Sequence, residues 1–405
     1  MPGAPGVRKL CMRAGRGGGK VETFDVVIAG GGIVGASVAY HLAEAGCANV
    51  LVAEREPYLG RGSTGKSMGG VRAQFSTEIN VRLSLYALDF FARFEDATGR
   101  PAGYRPQGYL FVATNEKQMG YLRANFQLQR ACGLETVELL SPAEVLARMP
   151  HLRTDDIVGG SFGSTDGFLD PHSVMTGFME RAVEKGVRLW KSAEVVAIAQ
   201  DARGIAEVRT TRGPVATRVL VNAAGAWAAG LAALAGVDLP VQPLRRMLVP
   251  TEPFPLIARE APMTIDMATG FHFRPEGLGL LLAWNDPQEA PGFKINFDPD
   301  FVEKILLRAV DRVPCFEALE VNPKRAWAGL YEMTPDHYPI LGPVPEVPGL
   351  FLANGFSGHG VMHSPATGKV LADLILEGHT DLIDAHALNL ARFAEGRMIH
   401  ETAVL

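Results

Sequence analysis

Residues 23–54, which read TFDVVIAGGGIVGASVAYHLAEAGCANVLVAE, constrain the fold more than any other part of the chain. A short apolar run over 26–29 leads into three consecutive glycines and then Gly35. An alanine-rich helical pattern follows, and a second apolar run over 50–53 ends at Glu54. This order predicts a strand, a glycine turn, a helix and a second strand, the unit that binds the diphosphate of an adenine dinucleotide.

Each part of this segment has a physical role in such a unit. Gly30 permits the tight turn, Gly32 lets the backbone approach a pyrophosphate, and Gly35 allows helix and strand to pack closely. The helix N-terminus then presents free N–H groups and partial positive charge to the diphosphate. Glu54 follows Gly35 by 19 residues, the spacing of a carboxylate that binds ribose hydroxyls. An acid here argues against a 2′-phosphate, but the adjacent Arg55, also predicted to contact the cofactor, leaves that alternative open.

The composition is that of a globular protein with a hydrophobic core, because 47% of the 405 residues are hydrophobic and 20% are charged. The net charge of −5 argues against a nucleic-acid partner.

The four cysteines are far apart, which predicts free thiols in a reducing cytoplasmic location and no metal site. Residues 1–22 are basic and glycine-rich, so we expect a disordered leader there. The apolar stretch 26–42 is short and interrupted by glycines, so we expect no membrane span.

The rest of the chain predicts two kinds of sheet. Residues 218–227, RVLVNAAGAW, contain a continuous apolar run typical of a buried parallel strand, which we assign to the same sheet as 26–29. From 241 to 323 alternating apolar residues predict an antiparallel sheet, with a helix over 299–313 packed on it. An α/β domain with a second, sheet-rich domain is therefore expected.

A second glycine turn, FSGHGVMHSPATGKVLADLI at 356–375, runs directly from a short apolar strand into a helix. One interpretation is an ordinary connection between strand and helix. The other is that this helix end is directed at a second, electron-rich part of the same cofactor, such as a flavin, because a helix N-terminus stabilises negative charge.

Three separated motifs, GGGIVGASVAYHL, NAAGAW and GFSGHGVMHSPATGKVLADLI, together resemble the D-amino-acid-oxidase superfamily of flavoproteins. Within it the chain is most similar to the branch of glycine oxidase, sarcosine oxidase and the proline dehydrogenase β-subunit. The resemblance implies a discontinuous Rossmann-type FAD-binding domain and an α+β substrate domain with a mixed or antiparallel sheet over the flavin. We assign 23–100, 150–240 and 324–405 to the FAD-binding domain, and 101–149 and 241–323 to the substrate domain.

The resemblance also implies which residues contact FAD. The diphosphate and ribose would be held by Gly30, Gly32, Ile33, Val34, Gly35 and Glu54. The pyrophosphate and flavin would be lined by Ser63, Thr64, Ser67, Met68 and Gly69, with Val195 at the adenine and Ala224, Gly225 and Trp227 beside the dinucleotide. The isoalloxazine ring would be contacted by Gly358, His359, Gly360, Val361 and Met362.

The chain departs from the family pattern at four positions. Gly329 stands where relatives with covalent flavin have a cysteine, so non-covalent FAD is expected. Leu281 replaces the lysine that activates oxygen in sarcosine oxidases, which favours dehydrogenase chemistry. The lysine and the arginine that bind the substrate carboxylate in relatives are replaced by Met362 and Tyr331, so the carboxylate anchor is not inherited.

Four residues are candidates for roles in the reaction: Tyr331, His359, Arg72 and Arg274. Tyr331 is either a core residue or a group that orients the substrate, and His359 is either structural or a flavin contact. Arg72 matches an arginine that lies against the flavin in the sarcosine-oxidase type. Arg274 offers a guanidinium fork for a carboxylate and shares a strand face with His272.

These observations predict an FAD-dependent enzyme that oxidises the C–N bond of glycine, sarcosine or another N-substituted glycine, or a related secondary amine. Hydride would pass to flavin N5, the imine would hydrolyse, and O₂ or a partner would accept the electrons. Two alternatives remain open: a 2-hydroxy-acid dehydrogenase of the same superfamily, and a non-catalytic flavoprotein that acts in assembly. The last is suggested by the closing segment NLARFAEGRMIHETAVL.

Overall fold

The computed structural model describes residues 21–399 and residue 401. Residues 1–20, assigned above to a leader, lie outside the described residues, whereas Glu22, also assigned to it, begins the first strand. The first ten strands are β1 Glu22–Thr23, β2 Val26–Ala29, β3 Val50–Ala53, β4 Gly70–Val71, β5 Tyr109–Ala113, β6 Val137–Leu140, β7 Gly159–Gly163, β8 Gly167–Phe168, β9 Arg188–Trp190 and β10 Val195–Asp201. The remaining strands are β11 Gly204–Thr210, β12 Gly213–Ala216, β13 Leu220–Asn222, β14 Gln242–Pro250, β15 Met263–Asp266, β16 His272–Glu276, β17 Gly279–Ala283, β18 Trp327–Met333, β19 Ile340–Pro343 and β20 Leu350–Asn354.

The described helices follow the amphipathic or apolar patterns in the sequence. They are α1 Ile33–Glu44, α2 Glu78–Ala92, α3 Phe94–Thr98, α4 Glu116–Ala131, α5 Pro142–Arg148, α6 Pro171–Glu184, α7 Ala228–Ala233, α8 Phe301–Arg312 and α9 Gly360–Leu376. Helix α5 begins with a capping box, because the Ser141 hydroxyl accepts from the Glu144 N–H and the Glu144 carboxylate accepts from the Ser141 N–H. Helix α1 is nearly all buried, which explains why its sequence is apolar on every side.

A six-stranded sheet in the order β19-β20-β13-β2-β3-β9 forms the centre of the first domain. All its pairings are parallel except that of β19 with β20. The predicted strand at 218–227 is therefore confirmed as part of this sheet, next to β2. The parallel strands β2, β3, β13 and β20 all end at the same edge of the sheet, which is where ligands bind in open α/β folds.

Alternate residues of the central strands face different layers. Val26 and Ile28 of β2 pack on the side of α1, α6 and α9, whereas Val27 and Ala29 pack on the other side. That second side is covered by the four-stranded sheet β1-β12-β11-β10, through buried residues such as Val208. The continuous apolar runs seen in the sequence follow from this burial on both faces.

An eight-stranded sheet in the order β18-β14-β17-β16-β15-β5-β7-β6 forms the second domain. It is mixed, because β5 and β15 are parallel and the other neighbours are antiparallel. Helix α8 covers its outer face with Phe301 and Ile305, while the inner face carries Tyr109 and Met263. The expected fold class, an α/β cofactor domain with an α+β domain, is confirmed.

Two strands belong to a different domain from the one that the proposed borders assign them to. The borders at 150 and 324 place β7 and β18 in the cofactor domain, but both strands pair within the eight-stranded sheet. Strand β7 has the sequence GGSFG, whose glycines hide any strand pattern. Strand β18 belongs to the eight-stranded sheet, and the chain enters the six-stranded sheet only at β19. The border near 324 therefore lies too early in the sequence.

Candidate functional site

A cavity of about 610 Å³ lies between the edge of the six-stranded sheet and the inner face of the eight-stranded sheet. Its walls come from three distant parts of the chain: the turn after β2, the loop after β3, and the turn before α9. The eight-stranded sheet contributes residues of β5, β14, β15, β16, β17 and β18. The two glycine turns identified in the sequence therefore line one continuous space.

The turn after β2 is shaped to receive a diphosphate. Gly30 has a φ of +111°, and a Cβ on it would collide with the carbonyl oxygen of Ala223. A Cβ on Gly35 would collide with the carbonyl oxygen of Gly30, so Gly35 is required for packing and does not line the cavity. Helix α1 begins at Ile33, whose N–H donates to Thr64 Oγ1 at 3.1 Å. The first-turn N–H groups and the helix dipole favour an anion here.

Glu54 closes this end of the cavity from the tip of β3. Its Oε2 accepts from the Gly31 N–H at 2.7 Å and its Oε1 accepts from the Glu56 N–H at 2.8 Å. These bonds hold the carboxylate beside the glycine turn, where a ribose would lie. Arg55 stacks on the ring of Trp227, with 3.8 Å between its Cζ and the ring centroid.

The glycine- and serine-rich loop after β3 connects the two domains. Ser63 Oγ donates to the carbonyl oxygen of Leu330 on β18 at 2.7 Å. The carbonyl oxygen of Met68 accepts from Arg274 Nε at 2.9 Å, and Ser67 Oγ accepts from the Gly69 N–H at 3.1 Å. The loop therefore has a defined conformation along one wall of the cavity.

The second glycine turn brings α9 to the opposite end of the cavity. Gly358 has a φ of +99°, and a Cβ on it would lie 2.7 Å from Tyr331 Cζ, so the Tyr331 ring packs directly on this backbone. Burial raises the pKa of Tyr331, which keeps its hydroxyl protonated. His359 precedes the first residue of α9, and its ring lies edge-on to Phe75 at 5.0 Å between centroids.

Arg72 and His359 form a buried pair at this end. Arg72 donates to the carbonyl oxygen of Gln74 at 2.5 Å, and its NH2 nitrogen lies 3.3 Å from Nε2 of His359. Since a guanidinium can only donate, Nε2 accepts and the neutral imidazole carries its proton on Nδ1. Burial, and then the charge of Arg72, hold the pKa of His359 well below its usual value. His359 is therefore suited to fix geometry rather than to take up a proton.

Two further titratable groups line the same end. Nδ1 of His272 donates to the carbonyl oxygen of Gly270 at 2.9 Å, and burial lowers the pKa of His272 to about 4. Burial also raises the pKa of Glu332 to about 7, although the N–H groups of Gly355 and Phe356 donate to its carboxylate. Near neutral pH this end of the cavity thus holds neutral histidines and tyrosines, a partly protonated Glu332, and the positive charges of Arg72 and Arg246.

Most of the predicted site residues lie on the cavity wall. These are Gly30, Gly32, Ile33, Val34, Glu54, Arg55, Ser63, Thr64, Ser67, Met68, Arg72, Val195, Ala224, Gly225, Trp227, Tyr331, Gly358, His359, Gly360, Val361 and Met362. Gly35, Gly69 and Arg274 are not on it. Arg274 donates to the Met68 and Pro275 carbonyl oxygens and pairs with Glu276, so it supports the wall from behind.

Among the polar wall residues that the sequence analysis missed, Tyr109, Arg246 and Glu332 lie on the eight-stranded sheet. The adjacent Arg245 is not on the cavity wall and pairs with Glu289 at 2.7 Å. The period of two along β14 places these neighbours on opposite faces, and only the pairing of the sheet shows which face is inward. His272, weighed only as a neighbour of Arg274, does line the cavity.

The wall fits a bound FAD without a covalent link. The first glycine turn has no side chain where a diphosphate would approach, and the second has none where a flat ring would approach. At Gly329 a Cβ would lie 2.7 Å from Lys66 Cβ, so that position offers neither a thiol nor space for one. Leu281 is buried against Leu248 and Ala283 and does not line the cavity.

Other kinds of site are not found in the described part of the chain. Within residues 21–399 and 401, no cluster of three or more histidine, cysteine, aspartate or glutamate side chains could hold a metal ion. Over the same residues, no helix combines the length and apolar character that crossing a membrane requires. Cys47, Cys132 and Cys315 are free thiols, and Cys11 lies outside the described residues.

Comparison with known proteins agrees with this geometry. The DAO family of FAD dependent oxidoreductases matches residues 25–374. The chain is 33% identical to the FAD-dependent oxidoreductase domain-containing protein 1 of Bos taurus, over 95% of this chain and 87% of that protein. It is 29% identical to the mitochondrial sarcosine dehydrogenase of Mus musculus, over 92% of this chain but 42% of that protein. Its structure resembles the L-proline dehydrogenase of P. horikoshii, with a TM-score of 0.87, 30% identity, and coverage of 94% of this chain and all of that one.

Proposed function

The chain belongs to the DAO family of FAD-dependent oxidoreductases, and we propose that it oxidises the C–N bond of an amino acid, with N-substituted glycines such as sarcosine as the first candidates. One observation carries this proposal. A single cavity joins a dinucleotide turn to a second helix N-terminus beneath an enclosing sheet. The similarity to a sarcosine dehydrogenase and a proline dehydrogenase supports an amine substrate.

FAD, when bound, supplies a two-electron acceptor for the hydride that leaves the substrate carbon next to nitrogen. A neutral secondary amine that loses hydride becomes an iminium ion, and water converts this into an amine and a carbonyl acid without net need of a protein base. The chain's task is therefore orientation and exclusion of water. Tyr331 and the Arg72–His359 pair are placed for this, because all three are held in fixed contacts at the α9 turn.

The test is anaerobic reduction of the bound flavin. Purified protein with FAD is mixed with sarcosine, dimethylglycine, glycine or L-proline, and the flavin absorbance is followed. Bleaching by one of these is the expected result, with release of an amine or ammonia from the glycine derivatives and formation of a cyclic imine from L-proline. Bleaching only by 2-hydroxy acids would move the chemistry to C–O oxidation. A flavin that stays oxidised with every amine and hydroxy acid, while the protein copurifies with a partner, would contradict an enzyme.

The electron acceptor is a separate question, and we propose a partner rather than O₂. Leu281 is apolar and buried away from the cavity, so the strand that carries an oxygen-activating lysine in sarcosine oxidases offers no cation here. The measurement compares hydrogen peroxide formation with reduction of an artificial electron acceptor during turnover. Rapid peroxide formation at the rate of flavin reduction would overturn this part of the proposal.

A further inference from the structure

Arg246 on β14 is a largely buried guanidinium on the cavity wall that has no acidic partner among the described residues. In the sheet, Arg246 lies opposite Gly329 of the neighbouring strand β18. Its side chain lines the cavity, whereas that of Arg245 does not. Its hydrogen bond to protein is a long one, from NH1 to the carbonyl oxygen of Arg245 at 3.3 Å. Its buried Nε has no acceptor within residues 21–399 and 401.

Three other buried arginines of the structure each pair with a carboxylate, and buried Arg72 is held by the carbonyl oxygen of Gln74 and by His359. Arg245 pairs with Glu289 at 2.7 Å, Arg312 with Asp156 at 2.9 Å, and Arg392 with Asp336 at 2.8 Å. An arginine remains protonated in proteins, and a buried charge without a counter-charge lowers stability. The lack of an ion pair at Arg246 is therefore expected if a bound ligand supplies the anion that this guanidinium needs.

The position of Arg246 separates it from the diphosphate end of the cavity. Its Cζ lies 5.3 Å from the centroid of the Tyr331 ring, and that ring packs on Gly358 at the α9 turn. The acids that line the diphosphate end, such as Glu54, belong to the other domain. The carboxylates whose charge acts on Arg246 are those of Glu289 and Asp286, but they form their ion pairs with Arg245 and Lys304. An anion bound by Arg246 would thus lie next to the flavin end rather than on the cofactor's phosphates.

We propose that Arg246 binds the carboxylate of the amino-acid substrate through its guanidinium fork and so takes the place of the anchors missing at Met362 and Tyr331. The inference rests on the proposed function. It narrows the substrate class to amines that carry a carboxylate near the reacting carbon. Simple alkylamines, and amino acids whose carboxylate is blocked as an amide, should bind poorly, because they leave the guanidinium unpaired.

The first measurement uses binding and needs no turnover. Methylthioacetate, in which sulfur replaces the nitrogen of sarcosine, is titrated into the FAD-loaded protein and followed by the flavin spectrum and by calorimetry. For Arg246→Gln we expect binding to weaken by roughly 10- to 100-fold, as for loss of a charge-assisted bidentate pair. Arg246→Lys should retain part of the affinity, because it keeps the charge but loses the fork. Arg325→Gln is the matched control, since Arg325 pairs with exposed Glu252 outside the cavity.

The second measurement separates binding from structure. Arg246→Gln should keep its FAD and melt no lower than the wild type, because it removes a largely buried charge that forms no ion pair with any described residue. A melting temperature well below that of Arg325→Gln would show a structural role and overturn the inference.

The last measurement separates this inference from the proposed function. Wild-type protein should be reduced by sarcosine but far more slowly by sarcosine amide, and Arg246→Gln should lose that preference mainly through KM. If sarcosine reduces both proteins with equal KM, the function stands and the role of Arg246 is wrong. If no amine reduces the wild type, yet methylthioacetate binding still depends on Arg246, the proposed function fails while the carboxylate site remains.

Discussion

Gly30 combines two features that no other residue tolerates together: a left-handed φ and backbone contact at the Cβ position. We expect Gly30→Ala to lose FAD binding and several kcal/mol of stability, since the Ala223 carbonyl oxygen blocks the new methyl group. Gly46→Ala is the control, because Gly46 also has a left-handed φ but nothing within 4 Å of a Cβ. That variant should keep its FAD and lose only about 1 kcal/mol. Equal FAD affinity in the two variants would contradict the collision argument.

His41 on α1 makes the fold sensitive to acid. Burial lowers the pKa of His41 from 6.5 to about 4, so the native state resists protonation that the unfolded chain accepts. Its contribution to stability is complete above pH 6.5 and is lost as the pH falls toward 4. His41→Gln stays neutral, so its free energy of unfolding should fall less between pH 6.5 and 4.5, by roughly 2 kcal/mol. Chemical denaturation at a series of pH values checks this, with exposed His151→Gln as a variant that should follow the wild type.

At the residue scale, the sequence predicts backbone features better than side-chain partners. The glycine residues that the turns need carry their own signature, so Gly30 and Gly358 could be assigned before the fold was known. Arg246 and Arg274 could not be distinguished in the same way. Both lie on strands, but only the tertiary structure shows that Arg274 is held by Glu276 and Arg246 is not.

The helices α1 and α9 carry the two glycine turns, and they touch where a side chain would not fit. A Cβ on Gly368 of α9 would lie 2.5 Å from His41 Nδ1 and 2.6 Å from the carbonyl oxygen of Ser37. We expect Gly368→Ala to push these helices apart, lower stability by about 1–3 kcal/mol, and weaken FAD binding because the turns move with the helices. Unfolding curves and FAD titration are the measurements.

A glycine in another helix supplies the comparison for that variant. Gly120 in α4 has nothing within 4 Å of a Cβ, so Gly120→Ala should stabilise the protein by about 0.5–1 kcal/mol through helix propensity alone. If Gly368→Ala behaved like Gly120→Ala, the close approach of α1 and α9 would have no bearing on the cofactor.

At the scale of elements, apolar continuity identified strands of the central sheet even when they were far apart in the chain. Strands β2 and β13 are short apolar runs whose patterns predict a shared sheet, and β20, a third short apolar run, pairs with β13. The eight-stranded sheet was less predictable, because it recruits β5 and β7 from outside the alternating segment. Such long-range pairing leaves no local trace in a strand such as GGSFG.

At the scale of the whole molecule, one cavity joins the two domains. Because the cavity wall combines both glycine turns with the eight-stranded sheet, FAD should stabilise both domains together. Removal of FAD is expected to lower the melting temperature, and added FAD should restore it with a gain that grows as the logarithm of its concentration. FMN, which lacks the adenosine half, should restore far less, because it leaves the Glu54 end empty. Equal stabilisation by FMN would show that the first glycine turn does not hold the cofactor.

The contact between Gly329 and the Lys66 side chain has a consequence beyond the site itself. A flavin that no bond ties to the chain can dissociate, so the loaded fraction of the protein depends on the concentration of free FAD relative to its Kd. In a cell short of the vitamin from which FAD is made, total protein and working protein would diverge. Nutritional state would then set how much of this protein functions, with no change in its synthesis.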